Sequence, residues 1–440
     1  MAKSLPILDE RATGIDVGSE RMHVSIGGGE PRVFGAMTRD IDALVQWLCE
    51  QGVRSVAMEA TGVYWMSLYA ALTLAGIQVL VVNGRHVRNV PGRKTDMADC
   101  QWIATLHAHG LLSSGFVPPA EIRRLQDYMR LREDHIRMAA SHVQHMQKAL
   151  ERMNIKFHDV ISDVTGASGM RVMRAIVEGE RDPHKLLALC DQQVRNKKGE
   201  RVVESLRGTW QREHVFALRQ ALKAWDFYQQ QIGECDSAIE QVLHDISGAL
   251  PDPDGHVGRG KAGGTNTPRI AGLHKLLVKI CGGTDPTCAP GMADHSLLRL
   301  ISETGVDLTN WPQAANFTSW AGLAPGTAQS GKRKKSQARP LNRVGHIFCD
   351  MARSVTKTKD SAFGGFYRRL KARRGGLVAL KALARKLATM FWNTMVHGLE
   401  YVEEGLKRYQ ERAALSQQRA LASLARKHGM LLVPAAATAN

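Results

Sequence analysis

Residues 13–26 read TGIDVGSERMHVSI: a β-rich run that ends at Val17, a short turn, and a second β-rich run. Further runs of the same kind alternate with windows of helical periodicity up to about Leu112. The predicted strands are Thr13–Val17, His23–Ile26, Ser55–Glu59 and Gln78–Val82, and the predicted helices are Ile41–Cys49, Tyr64–Ala75 and Asp96–His107. Strands that alternate with amphipathic helices are typical of a layered α/β fold. We therefore predict an α/β domain over residues 1–117.

After Pro118 and Pro119 the sequence changes to a heptad pattern. Its a and d positions hold Ile122, Leu125, Met129, Ile136, Val143, Met146, Leu150 and Met153. Arg132 and Ala139 are the two weak positions of this seam. The seam needs a partner helix, which can belong to the same chain, as a helical hairpin, or to a second protomer. We predict a helical, coiled-coil connector over residues 118–250.

Glycine and proline dominate residues 251–268, PDPDGHVGRGKAGGTNTP, which lack a periodic apolar face and therefore predict a linker. Gly255–Lys261 matches the GxxxxGK pattern of a phosphate-binding loop, but Ala262 stands where Ser or Thr should bind magnesium, and no strand precedes it. We predict a mainly α-helical domain over residues 269–400, with one basic loop in its middle, and a helical tail over residues 401–440.

The composition points to a nucleic-acid partner. The chain of 440 residues has 59 Lys and Arg against 42 Asp and Glu, a formal charge of +17, which attracts a polyanion. The longest weakly polar stretch, Tyr69–Val82, is too short to span a bilayer. Residues 1–14 carry early acidic residues and no signal-peptide core, and the seven cysteines are scattered, so we expect a cytoplasmic protein without a disulfide framework.

Four acidic residues occupy positions that suit a metal centre. Asp16 and Glu59 lie at the carboxyl ends of predicted strands, where side chains can point into an open cleft. Asp96 and Asp99 are three residues apart at the start of a predicted helix, so both project from one face. Carboxylates on rigid elements are what Mg²⁺ requires, and a two-metal site of this kind serves displacement at phosphorus. We predict that the four acids bind Mg²⁺, with Mn²⁺ as the other possible ion.

Each acid also has a simpler interpretation. Asp96 can be a helix cap, and Asp16 and Glu59 can be solvated residues at strand ends. GIDVGSE has a second interpretation, because actin-like sugar kinases also open with a strand, Asp and Gly that bind nucleotide phosphate, but no second glycine-rich phosphate loop in the right strand context appears before Pro118. The metal-centre interpretation accounts for all four acids together.

Ser330 lies in a predicted glycine-bracketed loop followed by cationic residues. Cations beside a serine stabilise an alkoxide and hold a phosphate, so a covalent phosphoserine step is one interpretation, and a DNA-gripping loop in which Ser330 is a turn residue is the other. The residues predicted to contact nucleic acid are Arg93, Lys94, Lys332, Arg333, Lys334, Lys335, Arg339, Arg343, Arg368 and Arg369.

The chain resembles the Piv-like DEDD transposases of insertion sequences over most of its length. Three blocks resemble those that carry the Asp, Glu, Asp, Asp set of that family: GIDVGSE, MEATGVYW and GRKTDMADCQWIATL. LQDYMRLREDHIRMAASHVQHMQ resembles the helical connector of the family, and GTDPTCAPGM, the run from Leu297 to Lys332, and ARPLNRVG resemble its C-terminal domain. One glycine follows Ser330 where many relatives have two.

The resemblance implies a RuvC-like (RNase H-like) N-terminal domain joined to a serine-bearing transposase domain. It assigns Asp16, Glu59, Asp96 and Asp99 as metal ligands and Ser330 as the nucleophile. It further implies strand exchange at element ends by a homo-oligomer, a dimer or a tetramer, guided by a structured RNA from the element. The alternatives are a RuvC-like junction nuclease without serine chemistry and a non-catalytic nucleic-acid-binding protein.

Overall fold

The computed structural model of the chain describes residues 6–84, 96–253, 257–258, 260–261, 263–330, 333–337, 340–358 and 361–430. The chain divides into two compact units, residues 1–117 and 118–440. None of the helices in the described part of the chain combines the length and the apolar composition that crossing a bilayer requires.

The first unit contains a five-stranded mixed sheet in the order β3-β2-β1-β4-β5. Its strands are β1 (Thr13–Val17), β2 (Arg21–Ile26), β3 (Arg32–Gly35), β4 (Ser55–Glu59) and β5 (Gln78–Val82). Its helices are α1 (Thr38–Glu50), α2 (Trp65–Leu74) and α3 (Asp96–Ala108). Strand β2 is antiparallel to both of its neighbours, whereas β1, β4 and β5 are parallel to one another. The predicted α/β class is confirmed.

Strand β3 was missed by the sequence analysis. Its residues, RVFG, bury only Phe34, so the alternation that predicts a strand is absent. The strand exists because β2 offers it an antiparallel ladder, in which His23 pairs with Val33. Tertiary pairing decides this element, as it often does for short edge strands.

The two faces of the sheet pack against different helices. Ile15 and Val17 of β1 join a core with Leu44 of α1 and Leu68 of α2. On the opposite face, Ala57 of β4 packs with Val82 and Ile103, the last of which lies on α3. Because side chains alternate along a strand, Gly14 and Asp16 lie on the α3 face.

The second unit is mainly helical. Its helices are α4 (Ala120–Arg152), α5 (Phe157–Val160), α6 (Ala167–Glu178), α7 (Pro183–Ala188), α8 (Gln192–Ser205), α9 (Arg212–Gly248), α10 (Leu273–Ile280), α11 (Asp294–Thr304), α12 (Ala314–Trp320), α13 (Arg343–Thr356), α14 (Ala362–Arg374), α15 (Gly376–His397) and α16 (Leu399–Lys427). A short 3₁₀ helix spans Pro286–Cys288.

The heptad seam of α4 packs against a helix of the same chain. Helices α4 and α9 are 33 and 37 residues long and pack along each other. Met146 and Leu150 of α4 share a core with Leu218 and Leu222 of α9. Of the two partners that the sequence left open, the structure therefore provides a helical hairpin inside one chain.

Arg132, at one of the weak positions of the seam, forms a buried ion pair. Its Nε lies 2.5 Å from Oδ1 of Asp236 on α9, and both side chains are at most 6% exposed. Arg132 also donates to the Asn266 carbonyl at 2.9 Å, and the other Asp236 oxygen accepts the Arg269 amide at 3.0 Å. The pair thus ties the hairpin to the chain around residue 266.

Residues of the predicted linker also contact this unit. The Lys261 ammonium donates to the carbonyls of Thr287, Ala289 and Met292. A lysine held by three carbonyls is not available as a phosphate ligand, in agreement with the rejection of the GxxxxGK match. The finer division of the second unit into connector, linker, C-terminal domain and tail stays a prediction.

The basic segment around Ser330 forms a β-hairpin. Strands β6 (Gly326–Ser330) and β7 (Arg333–Gln337) pair antiparallel, with Ser330 opposite Arg333. The prediction that Ser330 lies in a loop was wrong. The sequences GTAQS and RKKSQ show no apolar alternation that would mark a strand, but their backbone groups satisfy one another in a ladder.

We expect Asp236→Ala to lower the free energy of unfolding by about 3–5 kcal/mol, because it leaves the Arg132 guanidinium buried without a counter-charge. The double variant Arg132→Met/Asp236→Leu should lose clearly less. Urea unfolding of the full chain measures both. Arg124→Ala, which removes an exposed pair with Asp245, is the control and should cost less than about 1 kcal/mol. Equal losses in Asp236→Ala and the double variant would contradict the prediction.

Candidate active site

Asp16 and Glu59 come together at one edge of the sheet. Strands β1 and β4 are adjacent and parallel, paired from Thr13 with Val56 to Ile15 with Met58. Asp16 and Glu59 are the next positions in this register, so their carboxyl groups end neighbouring strands on the same face. Both side chains are half-buried.

Helix α3 brings Asp96 and Asp99 to the same place. It packs on β1, β2 and β4 and begins at Asp96. The close approach depends on Gly14, because a Cβ there would overlap the Ala104 amide nitrogen and the Cys100 carbonyl oxygen of α3. A side chain at position 14 would push α3 away from the strand that carries Asp16.

The charges of the four acids act on one another. The pKa of Asp16 is raised from 3.8 to about 6, first by burial and then by the negative charges of Asp96, Asp99 and Glu59. Like charges in one partly desolvated cleft disfavour ionisation, and a bound cation reverses this effect. The crowded carboxylates therefore fit a divalent metal ion, because a cation offsets the repulsion among their negative charges.

His23, which the sequence analysis did not single out, belongs to the cluster. It lies directly opposite Asp16 in the antiparallel pairing of β1 and β2. Ligand atoms of Asp16, His23 and Asp96 all lie within 4.8 Å of one another. The signal that could have found it is the register of the β1–β2 hairpin, which sequence pattern alone does not fix.

Two neighbours shape the site without adding a charge. A Cβ on Gly84, just after β5, would overlap the Glu59 carboxylate, so this glycine leaves room for it. Cys100 is fully buried on α3, its thiol donates to the Met97 carbonyl at 3.1 Å, and burial and then Asp16 raise its pKa to about 11. The Cys100 thiol therefore stays protonated and is a poor metal ligand.

The predicted basic contacts have different outcomes. The Arg343 guanidinium, at the start of α13, donates to Glu133 at 2.9 Å, and Arg299 holds the other oxygen of that carboxylate at 3.0 Å. Arg368 and Arg369 are exposed on α14. For Arg333, Lys334 and Lys335 the structure gives the backbone of β7, and the remaining predicted contacts lie outside the described residues: Arg93, Lys94, Lys332 and Arg339.

Two family models match the chain. A DEDD transposase model of IS110, described as Transposase, matches residues 13–155, which include the four acids, and a model described as Transposase IS116/IS110/IS902 family matches residues 287–368, which include Ser330. The chain belongs to the IS110 family of DEDD transposases. No curated protein matched it.

Membership of this family makes the chain a DNA transposase of an insertion sequence, with DNA as its partner and dependence on a divalent metal ion. The first matched segment covers the whole acid cluster, and the second covers the β6–β7 hairpin. The two matched segments therefore coincide with the two places where the residues themselves suggest chemistry.

We expect Gly14→Ala in this transposase to reduce metal-dependent DNA cleavage by about 100-fold, because displacing α3 moves Asp96 and Asp99 away from Asp16. Gly199→Ala is the matched control: Gly199 lies in α8, and its added Cβ would meet only the Leu187 side chain at 3.7 Å. Cleavage by the Gly14→Ala variant at the rate of the control would contradict the prediction.

In metal-free buffer at about pH 7.5, Asp16→Asn should raise the free energy of unfolding of the first unit by about 1 kcal/mol, after allowance for solvent screening. Because the folded pKa of Asp16, about 6, exceeds the ordinary 3.8, its contribution to stability is complete below the lower value and is lost as pH rises through the higher one. The gain should therefore shrink at about pH 5, where the native Asp16 already binds its proton.

Thermal unfolding with a chelator at the two pH values measures this effect. Glu20→Gln is the control. It removes an exposed acid between β1 and β2 and should change the free energy of unfolding little at either pH. A destabilised Asp16→Asn variant at the higher pH would show that the four acids do not repel one another in the metal-free protein.

Proposed function

We propose that this transposase cleaves and rejoins DNA at the ends of its element with a RuvC-like acid site and a serine nucleophile. The observation that carries the proposal is the convergence of Asp16, Glu59, Asp96 and Asp99 on one edge of the sheet, with the pKa of Asp16 raised to about 6. The contact at Gly14 holds acids close together although they repel one another, and this lowers the stability of the fold. A metal-binding role explains why such an arrangement exists.

The four acids hold Mg²⁺ or Mn²⁺ in this proposal. When bound, the ion supplies electrophilic stabilisation of the charge that develops on the phosphate oxygens. The residues themselves set the geometry: Asp16 and Glu59 are fixed by two paired strands, and Asp96 and Asp99 by the packed helix α3. Rigid elements of this kind keep ligands within the small tolerance that phosphoryl chemistry requires.

Ser330 attacks the scissile phosphate in the proposed reaction. Its Oγ forms a phosphoester bond as the bond from phosphorus to the leaving sugar oxygen breaks, the hydroxyl proton is released, and the leaving oxygen takes up a proton. The reverse reaction rejoins the strand. The match of the second family model to residues 287–368 and the cationic sequence of β7 support this role.

A structured guide RNA and a homo-oligomer, either a dimer or a tetramer, complete the proposal. The formal charge of +17 supports binding of RNA as well as DNA. The acids and Ser330 belong to different compact units of the chain, so sites composed from two protomers are compatible with its organisation.

The proposal is tested by trapping a covalent protein–DNA species. Purified full-length protein is incubated with Mg²⁺, element-end DNA and RNA from the noncoding flank of the element, and then run on a denaturing gel. We expect an adduct that Ser330→Ala and Asp16→Ala each reduce by at least about 10³-fold. Ser336→Ala, a serine in the same hairpin, is the matched control and should leave the adduct intact.

Other outcomes separate the alternatives. The acid cluster lies entirely within residues 1–117, so a junction nuclease without serine chemistry is the second candidate. Metal-dependent cutting without an adduct, unaffected by Ser330→Ala, would favour that nuclease. Binding of DNA without any cutting, under conditions in which the protein is folded, would favour a non-catalytic role.

A further inference from the structure

We propose that His23 supplies a nitrogen ligand beside Asp16 and Asp96, so that this position of the metal centre takes a transition-metal ion such as Mn²⁺ in preference to Mg²⁺. The inference rests on the proposed function, because it requires the acids to bind a metal ion. It adds a fifth residue to that site and a metal preference that four carboxylates alone do not imply.

The distances suit shared coordination. Metal–ligand distances of about 2.1 Å in octahedral geometry separate neighbouring ligand atoms by roughly 3 Å and opposite ones by roughly 4 Å. The donor atoms of Asp16, His23 and Asp96 already lie within 4.8 Å of one another. Small side-chain rotations are enough to bring the three donors onto one ion.

The backbone fixes His23 in this position. Strand β2 is the second strand of the sheet, paired on one side with β1 and on the other with β3, where His23 lies opposite Asp16 and Val33. Cross-strand neighbours have Cβ atoms about 5 Å apart and share a face, so the imidazole must face the acid cluster.

Within the described residues, the His23 imidazole interacts electrostatically with Asp16. The side chain is half-buried, and its ring takes part in no hydrogen bond with another described residue. By contrast, His107 and His109 of the same unit bond the carbonyls of Thr13 and Pro6. A ring nitrogen that faces two carboxylates, and that no other described group engages by a hydrogen bond, can serve as a further ligand of a metal ion bound there.

A nitrogen ligand changes which ion is preferred. Mg²⁺ favours hard oxygen donors, whereas divalent transition metals gain affinity from imidazole. The position formed by Asp16, His23 and Asp96 thus has a mixed nitrogen and oxygen donor set. The carboxylates of Glu59 and Asp99 are then left to bind a second metal ion through oxygen atoms alone.

The test uses Mn²⁺ bound to the full-length protein and electron spin-echo spectroscopy, which detects nitrogen coordinated to Mn²⁺. We expect a nitrogen coupling that disappears in His23→Gln, together with about tenfold weaker Mn²⁺ binding and a much smaller loss for Mg²⁺. His23→Asp should restore tight binding without the nitrogen coupling and favour Mg²⁺.

Two further variants locate the signal. The chain has a second group of suitable donors, Glu151, His158 and Asp159, so His158→Gln is the matched control and should retain the nitrogen coupling. Asp16→Asn should abolish the coupling, because it removes a ligand of the same ion. Thermal unfolding of each variant confirms that it is folded.

The outcomes distinguish the two proposals. Mn²⁺ binding that depends on Asp16 but lacks a nitrogen coupling, or a coupling that persists in His23→Gln, would overturn the role of His23 and leave the acid site intact. Absence of any Mn²⁺ or Mg²⁺ binding that depends on Asp16 would overturn the proposed metal centre itself.

Discussion

The backbone contact between helix α3 and strand β1 at Gly14 is the constraint on which the acid site depends. Only a residue without a Cβ lets the helix backbone reach the strand, and that approach carries Asp96 and Asp99 to the end of β1. Gly84 makes the corresponding space for Glu59. Two glycines, neither of which takes part in chemistry, thus determine whether the four carboxylates lie close together.

This arrangement of acids lowers the stability of the metal-free first unit. The pKa of Asp16 is raised because its carboxylate is partly buried among three other acids, so the ionised site opposes folding at neutral pH. The first unit compensates with apolar packing on both faces of its sheet, where Ile15 and Ala57 lie on opposite sides. Unfavourable electrostatic repulsion of this kind is expected where charged residues bind a ligand rather than stabilise the fold.

In the second unit, a buried ion pair between α4 and α9 helps to determine which helix packs against the apolar heptad seam of α4. Arg132 interrupts the heptad pattern of α4, and its counter-charge Asp236 lies on α9 of the same chain. A buried guanidinium is tolerated only where a carboxylate and a carbonyl meet it, so the pair favours one register of the helical hairpin. The hairpin then supports the chain that leads to α10.

The sequence by itself determined the α/β class of the first unit, four of its five strands and the placement of four acids at strand ends and at a helix start, because strand alternation, helical periodicity and strand-end position are local properties. Only the tertiary structure decided the strand β3, the β6–β7 hairpin, the intrachain partner of the α4 seam and the place of His23. Each of these depends on which backbone lies beside which. Residue pattern alone does not fix such a register, because it depends on which backbone and side-chain groups meet once the segments are paired.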